Sequence, residues 1–430
     1  MAGARTPAAP APWRYGLLGL PLAFVALPLY VHLPHVYASR YGTPLATLGA
    51  VLLLARLFDA FTDPLLGHWS DRLAARSPRR LLAAAALAAV WLLVGMALLF
   101  FPPWAEAGHP LALLAVLVLT CLAFSALAIA HQAWGARLGG DEAQRARIVA
   151  WREGAGLVGV VLASVLPSLL GWSAWLGVFG LALAVGCGAW ARSPVPAVAP
   201  ASPAQAPTGH APLLHPWRQA PFRRLMLAFV LSGLASAVPA TLVLFFVQDR
   251  LGAPALQPVF LATYFVAAAA SMPLWLRAVA RWGLARSWLA GMGLSVAVFA
   301  WAAGLSTGDV LAFGAVCALS GLALGADLAL PGALLAGLIA ERGDRGAREG
   351  SYFGWWNLAS KLNLALAAGL ALPLLEGLGY RPGSPSPEGL QALTLAYAVL
   401  PCALKLLAAA ALYLGLVRPA LALSPASETP

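Results

Sequence analysis

Apolar runs of about 20 residues recur along nearly the whole of this 430-residue chain. That is the length an α-helix needs to cross a hydrocarbon core about 30 Å thick. Hydrophobic residues make up 61% of the sequence and its mean hydropathy is +0.80, both far above the values of a soluble domain. The runs are continuous and do not alternate in polarity, which excludes a transmembrane β-barrel. The sequence therefore predicts an all-α membrane protein.

The apolar runs number twelve and divide into two sets of six. A Pro- and Ala-rich segment, 193–221, follows the sixth run and is predicted to be an extended cytoplasmic linker. This pattern predicts an N-terminal half at 15–192, a C-terminal half at 222–417, and cytoplasmic tails at 1–14 and 418–430. Two six-helix halves around a midplane cavity are typical of secondary transporters. The predicted spans are 15–37, 43–69, 81–102, 110–135, 148–171, 174–192, 222–248, 256–277, 285–305, 309–339, 349–375 and 389–417.

The basic residues are distributed unevenly among the loops. The formal net charge is +11, and most arginines lie in the N-terminal tail, after the last span, or in the connections after spans 2, 4, 6, 8 and 10. Only Arg40, Arg250 and Arg381 lie in the opposite set of loops. By the positive-inside rule, we expect both termini to be cytoplasmic. We further expect the membrane to be a bacterial-type inner (plasma) membrane. The arginine clusters lack interleaved aromatics, so we expect no nucleic-acid partner.

No pattern in the sequence predicts a metal site, a cofactor or an enzyme. The four cysteines lie singly within apolar runs, without metal-ligand spacing or a disulfide framework. No cluster such as HExxH is present, so a membrane enzyme is not expected.

A few charged residues lie deep within the predicted spans, away from their ends. A charge at the bilayer centre costs roughly 2.5 to 3.5 kcal/mol on insertion scales, so each is a functional candidate. In the first half they are Arg56, Asp59, Asp63, Arg152 and Glu153, and in the second half Asp327, Lys361 and Lys405.

The second span carries two carboxylates on one helix face. Asp59 and Asp63 are four residues apart, and two carboxylates this close favour a bound cation or a retained proton. Pro64 lacks the backbone donor that would bond the Ala60 carbonyl, and Thr62 could add a hydroxyl ligand. The alternative is a structural salt bridge to Arg56 or Arg152 that only fixes helix packing.

The same span ends in the sequence GHWSDR. Gly67 and Asp71 lie one turn apart, which suits a close helix contact and a carboxylate beside a neighbouring helix N-terminus. Arg72 follows directly. The pattern resembles the loop 2–3 signature of the major facilitator superfamily, and its alternative is a solvated charge run.

Three segments resemble one family of carriers within that superfamily. They are RLFDAFTDPLLGHWSDR, HQAWGARLGGDEAQRARIVAWREGAGLVG at 131–159, and REGSYFGWWNLASKLNLALAAG at 348–369. Together they resemble the glycoside-pentoside-hexuronide:cation symporters of the melibiose-permease type. The resemblance covers nearly the whole chain and implies twelve helices and coupling to Na⁺ or H⁺.

The resemblance also implies roles for individual residues. Arg56 matches the arginine one turn before the carboxylates. Where the melibiose type has sugar-binding aspartates on spans 1 and 4, this chain has Ala23 and Ala130, which makes galactoside transport doubtful. The implied cation-site residues are Asp59, Thr62, Asp63 and Lys361; Trp134 matches an aromatic that lies against the sugar, and Arg152 an arginine facing the central cavity.

Other polar residues of the spans are weaker candidates. His131 and Gln132 on span 4, and Trp356 and Asn357 on span 11, are possible substrate contacts, although a lone histidine is more often a core residue. Lys405 could pair with a carboxylate, meet an anionic substrate, or only hold spans 11 and 12 together. Asp327 could pair with either Lys405 or Lys361.

These patterns predict a Na⁺- or H⁺-coupled symporter of a small, sugar-like solute that works by alternating access as a monomer. One alternative is a symporter of an amphipathic or anionic solute such as a lysolipid. An alternative of another class is a non-transporting membrane sensor or assembly factor with the same fold.

Overall fold

The computed structural model describes residues 11–103, 109–196, 213–383 and 386–419, and these residues are almost entirely helical. The all-α fold class predicted from the sequence is confirmed.

Seven helices form the first half of the chain. Residues 12–39 make a broken helix with one π-helical turn at Pro28–His32. The long seventh helix is interrupted at Gly171, whose φ of 76° lies outside the helical region. The bounds are α1 Pro12–Gly16, α2 Gly19–Leu27, α3 Leu33–Ser39, α4 Leu45–Arg76, α5 Pro78–Phe100, α6 Pro110–Leu138 and α7 Glu142–Ala191.

Eight helices form the second half. Three π-helical turns, Phe246–Arg250, Leu395–Val399 and Tyr413–Val417, continue the helices that precede them, and a short 3₁₀ turn spans Pro254–Leu256. The bounds are α8 His215–Arg218, α9 Ala220–Phe245, α10 Gln257–Trp282, α11 Leu284–Ala302, α12 Val310–Glu341, α13 Glu349–Gly377, α14 Pro387–Thr394 and α15 Leu400–Leu412.

Ten segments of the described chain are long and apolar enough to cross a membrane. The two remaining predicted spans differ in ways that the sequence explains. Residues 12–39 are divided into short helices, whereas α4 has 32 residues but carries Arg56, Asp59 and Asp63 in its middle. The structure alone therefore does not establish the number twelve.

Local sequence sets where several helices begin. Ser77 accepts a hydrogen bond from the Arg79 amide and Pro78 starts α5, so the chain turns sharply after α4. Asp141 caps α7 by accepting from the Gln144 amide at 2.7 Å. These caps fix the loops at one end of the bundle.

The two halves each have a buried apolar core and meet along several long helices. In the first half α2 packs on α7 and α4 on α6, and in the second α10 packs on α12 and α9 on α15. Across the halves, α4 packs on α13, and α7 packs on α10 and α12. We call the end of the bundle where α4, α6 and α12 end and α7 and α13 begin the closed face.

The predicted linker and tails lie largely outside the described residues. Of 193–221, residues 197–212 are not described, and of the tails only 11–14 and 418–419 are. The described part 213–219 includes α8 and contacts α13 and the connection before it: the Trp355 indole of α13 donates to the Leu213 carbonyl at 2.7 Å, and His215 Nε2 lies 3.0 Å from Asp344 in the connection. The end of the predicted linker is thus folded against the second half.

Candidate ion and solute sites

One lysine of the second half meets both carboxylates of α4. Lys361 Nζ on α13 lies 2.7 Å from Asp59 Oδ2 and 2.8 Å from Asp63 Oδ2. Both carboxylates are buried, whereas the Lys361 side chain is 22% exposed. We call Asp59, Asp63, Lys361 and Ser125 the inter-half cluster, because α4 and α6 belong to one half and α13 to the other.

Ser125 on α6 completes this cluster. Its hydroxyl donates to Asp59 Oδ1 at 2.7 Å and accepts from Lys361 Nζ at 2.8 Å. With both carboxylates ionised, the three charged groups sum to a formal charge of −1. One more monovalent cation or proton would neutralise them, since opposite charges at such distances attract strongly away from water.

Local backbone geometry brings α13 close to the carboxylates. A Cβ added at Gly354 would lie 2.6 Å from the Asp63 carbonyl oxygen and 2.8 Å from Pro64 Cα. Only glycine allows this approach, because real Cβ atoms do not come so near to backbone. Thr62 donates to the Asp59 carbonyl of its own helix at 2.9 Å, and Arg56 lies one turn earlier, half-buried.

The polar residues next along α6 and α13 also join the halves. Asn357 Nδ2 donates to Gln132 Oε1 at 2.8 Å and to the Phe353 carbonyl. Trp356, in contrast, stacks on Phe229 of α9 at 3.6 Å between ring centroids, within the second half.

Two predicted solute contacts lie in the core of the first half. Trp134 is buried and packs edge-on against Trp190. His131 is buried, stacks on Tyr15 and places Nε2 2.8 Å from the Tyr15 carbonyl oxygen. The structure does not bring either side chain to the inter-half cluster, and their role in solute binding stays a prediction.

Arg152 pairs with its neighbour on α7. Arg152 Nε donates to Glu153 Oε1 at 2.9 Å. Arg152 lies beside the backbone of α1–α2 at Gly19, where that helix approaches α7. Ala23 is part of the same close packing, because a Cβ at Gly159 would lie 3.1 Å from Ala23 Cβ. The Ala23 side chain therefore faces α7.

The GHWSDR sequence contributes Asp71 to a cluster of charged residues at the closed face. We call this cluster, formed by Asp71, Arg137 and Glu349, the latch. Asp71 accepts hydrogen bonds from the Gly350 amide (2.6 Å), the Ser351 amide (2.7 Å) and Arg137 (2.8 Å). The two amides belong to the first turn of α13, where a carboxylate is favourable. Arg137 also donates to Glu349 at 3.0 Å. Two carboxylates and one arginine thus bind α4 and α6 to α13.

Two glycines beside the latch, Gly67 and Gly350, allow α4 and α13 to approach each other closely. Arg72, which directly follows Asp71, points away from the latch. A Cβ at Gly67 would collide with the Gly350 carbonyl, and one at Gly350 with the Gly67 carbonyl. Arg72 is exposed.

A second Lys–Asp group lies wholly within the second half. Lys405 Nζ on α15 lies 2.5 Å from Asp327 Oδ2 on α12, so Asp327 pairs with Lys405 and not with Lys361. Lys405 also donates to Ser232 Oγ at 2.7 Å and Ser236 Oγ at 3.1 Å, and Trp288 Nε1 donates to Asp327 Oδ1 at 2.9 Å. We call these five residues the C-half cluster.

Sequence reasoning missed the neutral partners of these groups and the arginine of the latch. Ser125, Ser232 and Ser236 are serines inside apolar spans, a signal that one sequence does not separate from ordinary serines. Arg137 lies just after predicted span 4 and Glu349 is the first residue of predicted span 11, and only the fold shows that they meet.

The comparisons with known proteins decide the family. The family described as MFS/sugar transport protein matches residues 14–415, which is nearly the whole chain. The chain belongs to this family. No curated protein sequence matches this chain.

Two solved structures similar to this chain are those of transporters. A bacterial homologue of the iron transporter ferroportin, in an outward-facing state, aligns with a TM-score of 0.70 at 17% identity over 94% of this chain and 99% of the other. The Fucose:proton symporter FucP of E. coli aligns with a TM-score of 0.68 at 12% identity, over 92% and 98%. At these identities the alignments establish the fold: the chain is an integral membrane protein with the major facilitator fold, and its family is one of secondary transporters.

Proposed function

We propose that this transporter is a cation-coupled symporter of the glycoside-pentoside-hexuronide type, and that the inter-half cluster is its coupling site. The observation that carries the proposal is the position of Lys361, whose ammonium lies 2.7 and 2.8 Å from two carboxylates of the other half. An ammonium in this place occupies the position that a coupling Na⁺ or H⁺ would take.

Competition between Lys361 and the coupling ion would link ion binding to movement of the halves. A cation or proton on Asp59 and Asp63 reduces the attraction that holds Lys361, and so weakens a contact between α4 and α13. Removing the net charge also makes the loaded carrier less costly to reorient within the membrane. The cluster thus serves both as a binding site and as a contact that responds to binding.

The hydrogen bonds described above between the halves run from Lys361 to the closed face. We propose that the closed face is cytoplasmic, as the arginine distribution predicts, and that the structure is accordingly an outward-facing form. The latch of Asp71, Arg137 and Glu349 would then open in the inward-facing form. We propose further that the protein acts as a monomer in a bacterial-type inner membrane.

The proposed solute is sugar-like, which is consistent with the sugar transport family. The hydrogen bond between Gln132 and Asn357, next to Lys361 along α13, supplies amide groups that could recognise hydroxyls. An amphipathic solute is the second candidate, because a cavity of the second half is lined by Phe260, Tyr264 and Phe299.

Gradient-driven uptake into vesicles tests the coupling. Reconstituted protein should accumulate solutes of a sugar panel under an imposed Na⁺ or proton gradient, and Asp59→Asn and Asp63→Asn should each abolish the gradient dependence. Asp309→Asn, in the loop before α12, makes the same charge change and should leave uptake intact. If the wild type binds a solute without accumulating it, the protein is a sensor and the proposal is wrong.

A further inference from the structure

The second half contains a cavity of about 160 Å³ whose lining, within the described residues, comes from the second half alone. It lies between α9, α10, α11, α12 and the π-helical turn Leu395–Val399. It is therefore separate from the inter-half cluster and moves with the second half alone. Its aromatic walls are formed by Phe260, Tyr264, Phe265, Phe299 and Tyr397.

The cavity is long and has an apolar and a polar end. Along α12 its lining runs from Cys317 to Asp327, ten residues that rise about 15 Å at 1.5 Å per residue. Phe260 and Val243 lie toward the first end, whereas Ser236 and Asp327 lie at the other. Such a cavity fits a molecule with an apolar body and one polar group.

The charges of the C-half cluster face the cavity unequally. The Asp327 side chain is 16% exposed and lines the cavity, whereas the Lys405 side chain is 2% exposed. The ammonium lies behind the carboxylate, held by Ser232 and Ser236. A molecule in the cavity therefore contacts the Asp327 carboxylate, which is negatively charged and accepts hydrogen bonds. The compensating positive charge of Lys405 is shielded from that molecule.

We propose that this cavity is a binding site for small amphipathic solutes that carry an amine or hydroxyl on a ring-sized apolar body. The amine or hydroxyl donates to Asp327, and the ring packs among Phe260, Tyr264 and Phe299. Aromatic faces also attract a cationic amine. A carboxylate in the same place would face Asp327 directly and be repelled. The site thus selects by the sign of the polar group.

This inference goes beyond the proposed coupling and does not rest on it. Binding at Asp327 needs neither Asp59 nor Asp63, and a direct binding measurement does not depend on any ion gradient. Failure of one proposal therefore leaves the other standing.

Three water-soluble compounds of matched shape provide the test: phenethylamine, 2-phenylethanol and phenylacetate. Calorimetric titration of the purified full-length protein should give binding of the amine at least about tenfold tighter than of the acid, a difference of about 1.4 kcal/mol, with the alcohol between them. The amine should also raise the melting temperature, since it binds only the folded state. Equal binding of amine and acid, or no binding of any of the three, overturns the proposal.

Two variants locate the binding. Asp327→Asn combined with Lys405→Met keeps the cluster neutral and should remove the preference for the amine. Ala323→Phe fills the cavity from α12 and should weaken amine binding at least about tenfold, whereas Ala270→Phe, at an exposed position of α10 outside the cavity lining, should not. If the double variant does not fold, Ala323→Phe decides: unchanged amine affinity in that variant means that the compound binds elsewhere.

Discussion

The membrane-embedded part of the molecule holds two Lys–Asp groups with different relations to the fold. Lys361 joins α13 to two carboxylates on α4, across the boundary between the halves, and its side chain is 22% exposed. Lys405 pairs with one carboxylate inside the second half, and its side chain is 2% exposed. The first group has one carboxylate more than it has ammonium groups, whereas the second is balanced.

Because of this difference, another cation can replace Lys361 in its contact with the carboxylates, whereas the contact of Lys405 with Asp327 is permanent. The inter-half cluster can accept another positive charge, and its partners belong to bodies that must separate during alternating access. The C-half cluster is already neutral, and its two charged groups are hydrogen-bonded by Ser232, Ser236 and Trp288, so it needs no bound ion to balance its charge. Lysine and aspartate thus form a contact that can break during transport in the inter-half cluster, and a permanent structural contact in the C-half cluster.

Replacing each lysine in turn should give the largest difference in stability between the two groups. Lys405→Met leaves Asp327 buried without its cation and should cost about 3–5 kcal/mol of stability. Lys361→Met should cost much less, because Asp59 and Asp63 can take up a proton or a cation in its place. Melting temperatures of the two variants in the same detergent provide the comparison.

The double variant Asp327→Asn with Lys405→Met serves as the control for that experiment. It leaves no unpaired charge and should recover most of the loss. Equal melting temperatures of the Lys405→Met and Lys361→Met variants would show that the two groups do not differ as described.

A smaller effect is expected from a methyl group beside the inter-half cluster. Gly354→Ala places a Cβ 2.6 Å from the Asp63 carbonyl oxygen and should force α13 away from α4, at a cost of about 1–3 kcal/mol. The same change at Gly369 of α13, whose added Cβ would meet nothing within 4 Å, is the matched control. Thermal unfolding checks both, and an equal effect of the two substitutions would rule out the described contact.

The smallest effect is expected from Ser125→Ala. The change removes hydrogen bonds to Asp59 and Lys361 but no charge, so it should alter the free energy of the cluster by about 1 kcal/mol. The apparent affinity for the coupling ion should shift by a few-fold, as measured from the ion dependence of uptake. A complete loss of coupling would mean that Ser125 is a direct ion ligand.

The sequence predicted much of this arrangement because charge is so rare in it. Eight charged residues within apolar spans were enough to find Asp59, Asp63, Lys361, Asp327 and Lys405 as candidates. The all-α membrane class followed from the length of the apolar runs, and the major facilitator type from the resemblance of three segments to a known family. The sequence could not choose the partner of Asp327, since either lysine would satisfy a buried carboxylate equally well.

Residues without charge were harder to place from sequence. Trp134 and His131 lie next to one another on α6 at helical spacing, and nothing in the sequence shows that they face Trp190 and Tyr15 within the first half. The side-chain direction of such residues depends on tertiary packing, which a single helical pattern does not determine.

Direct binding of the coupling ion tests the central claim that Asp59 and Asp63 exchange Lys361 for a cation. We would measure Na⁺ binding and proton uptake of the purified protein by calorimetry, in the wild type and in the Asp59→Asn, Asp63→Asn double variant. The account predicts that the wild type binds one of the two ions and that the double variant does not. The account is contradicted if the double variant binds Na⁺ as the wild type does and also takes up protons as the wild type does.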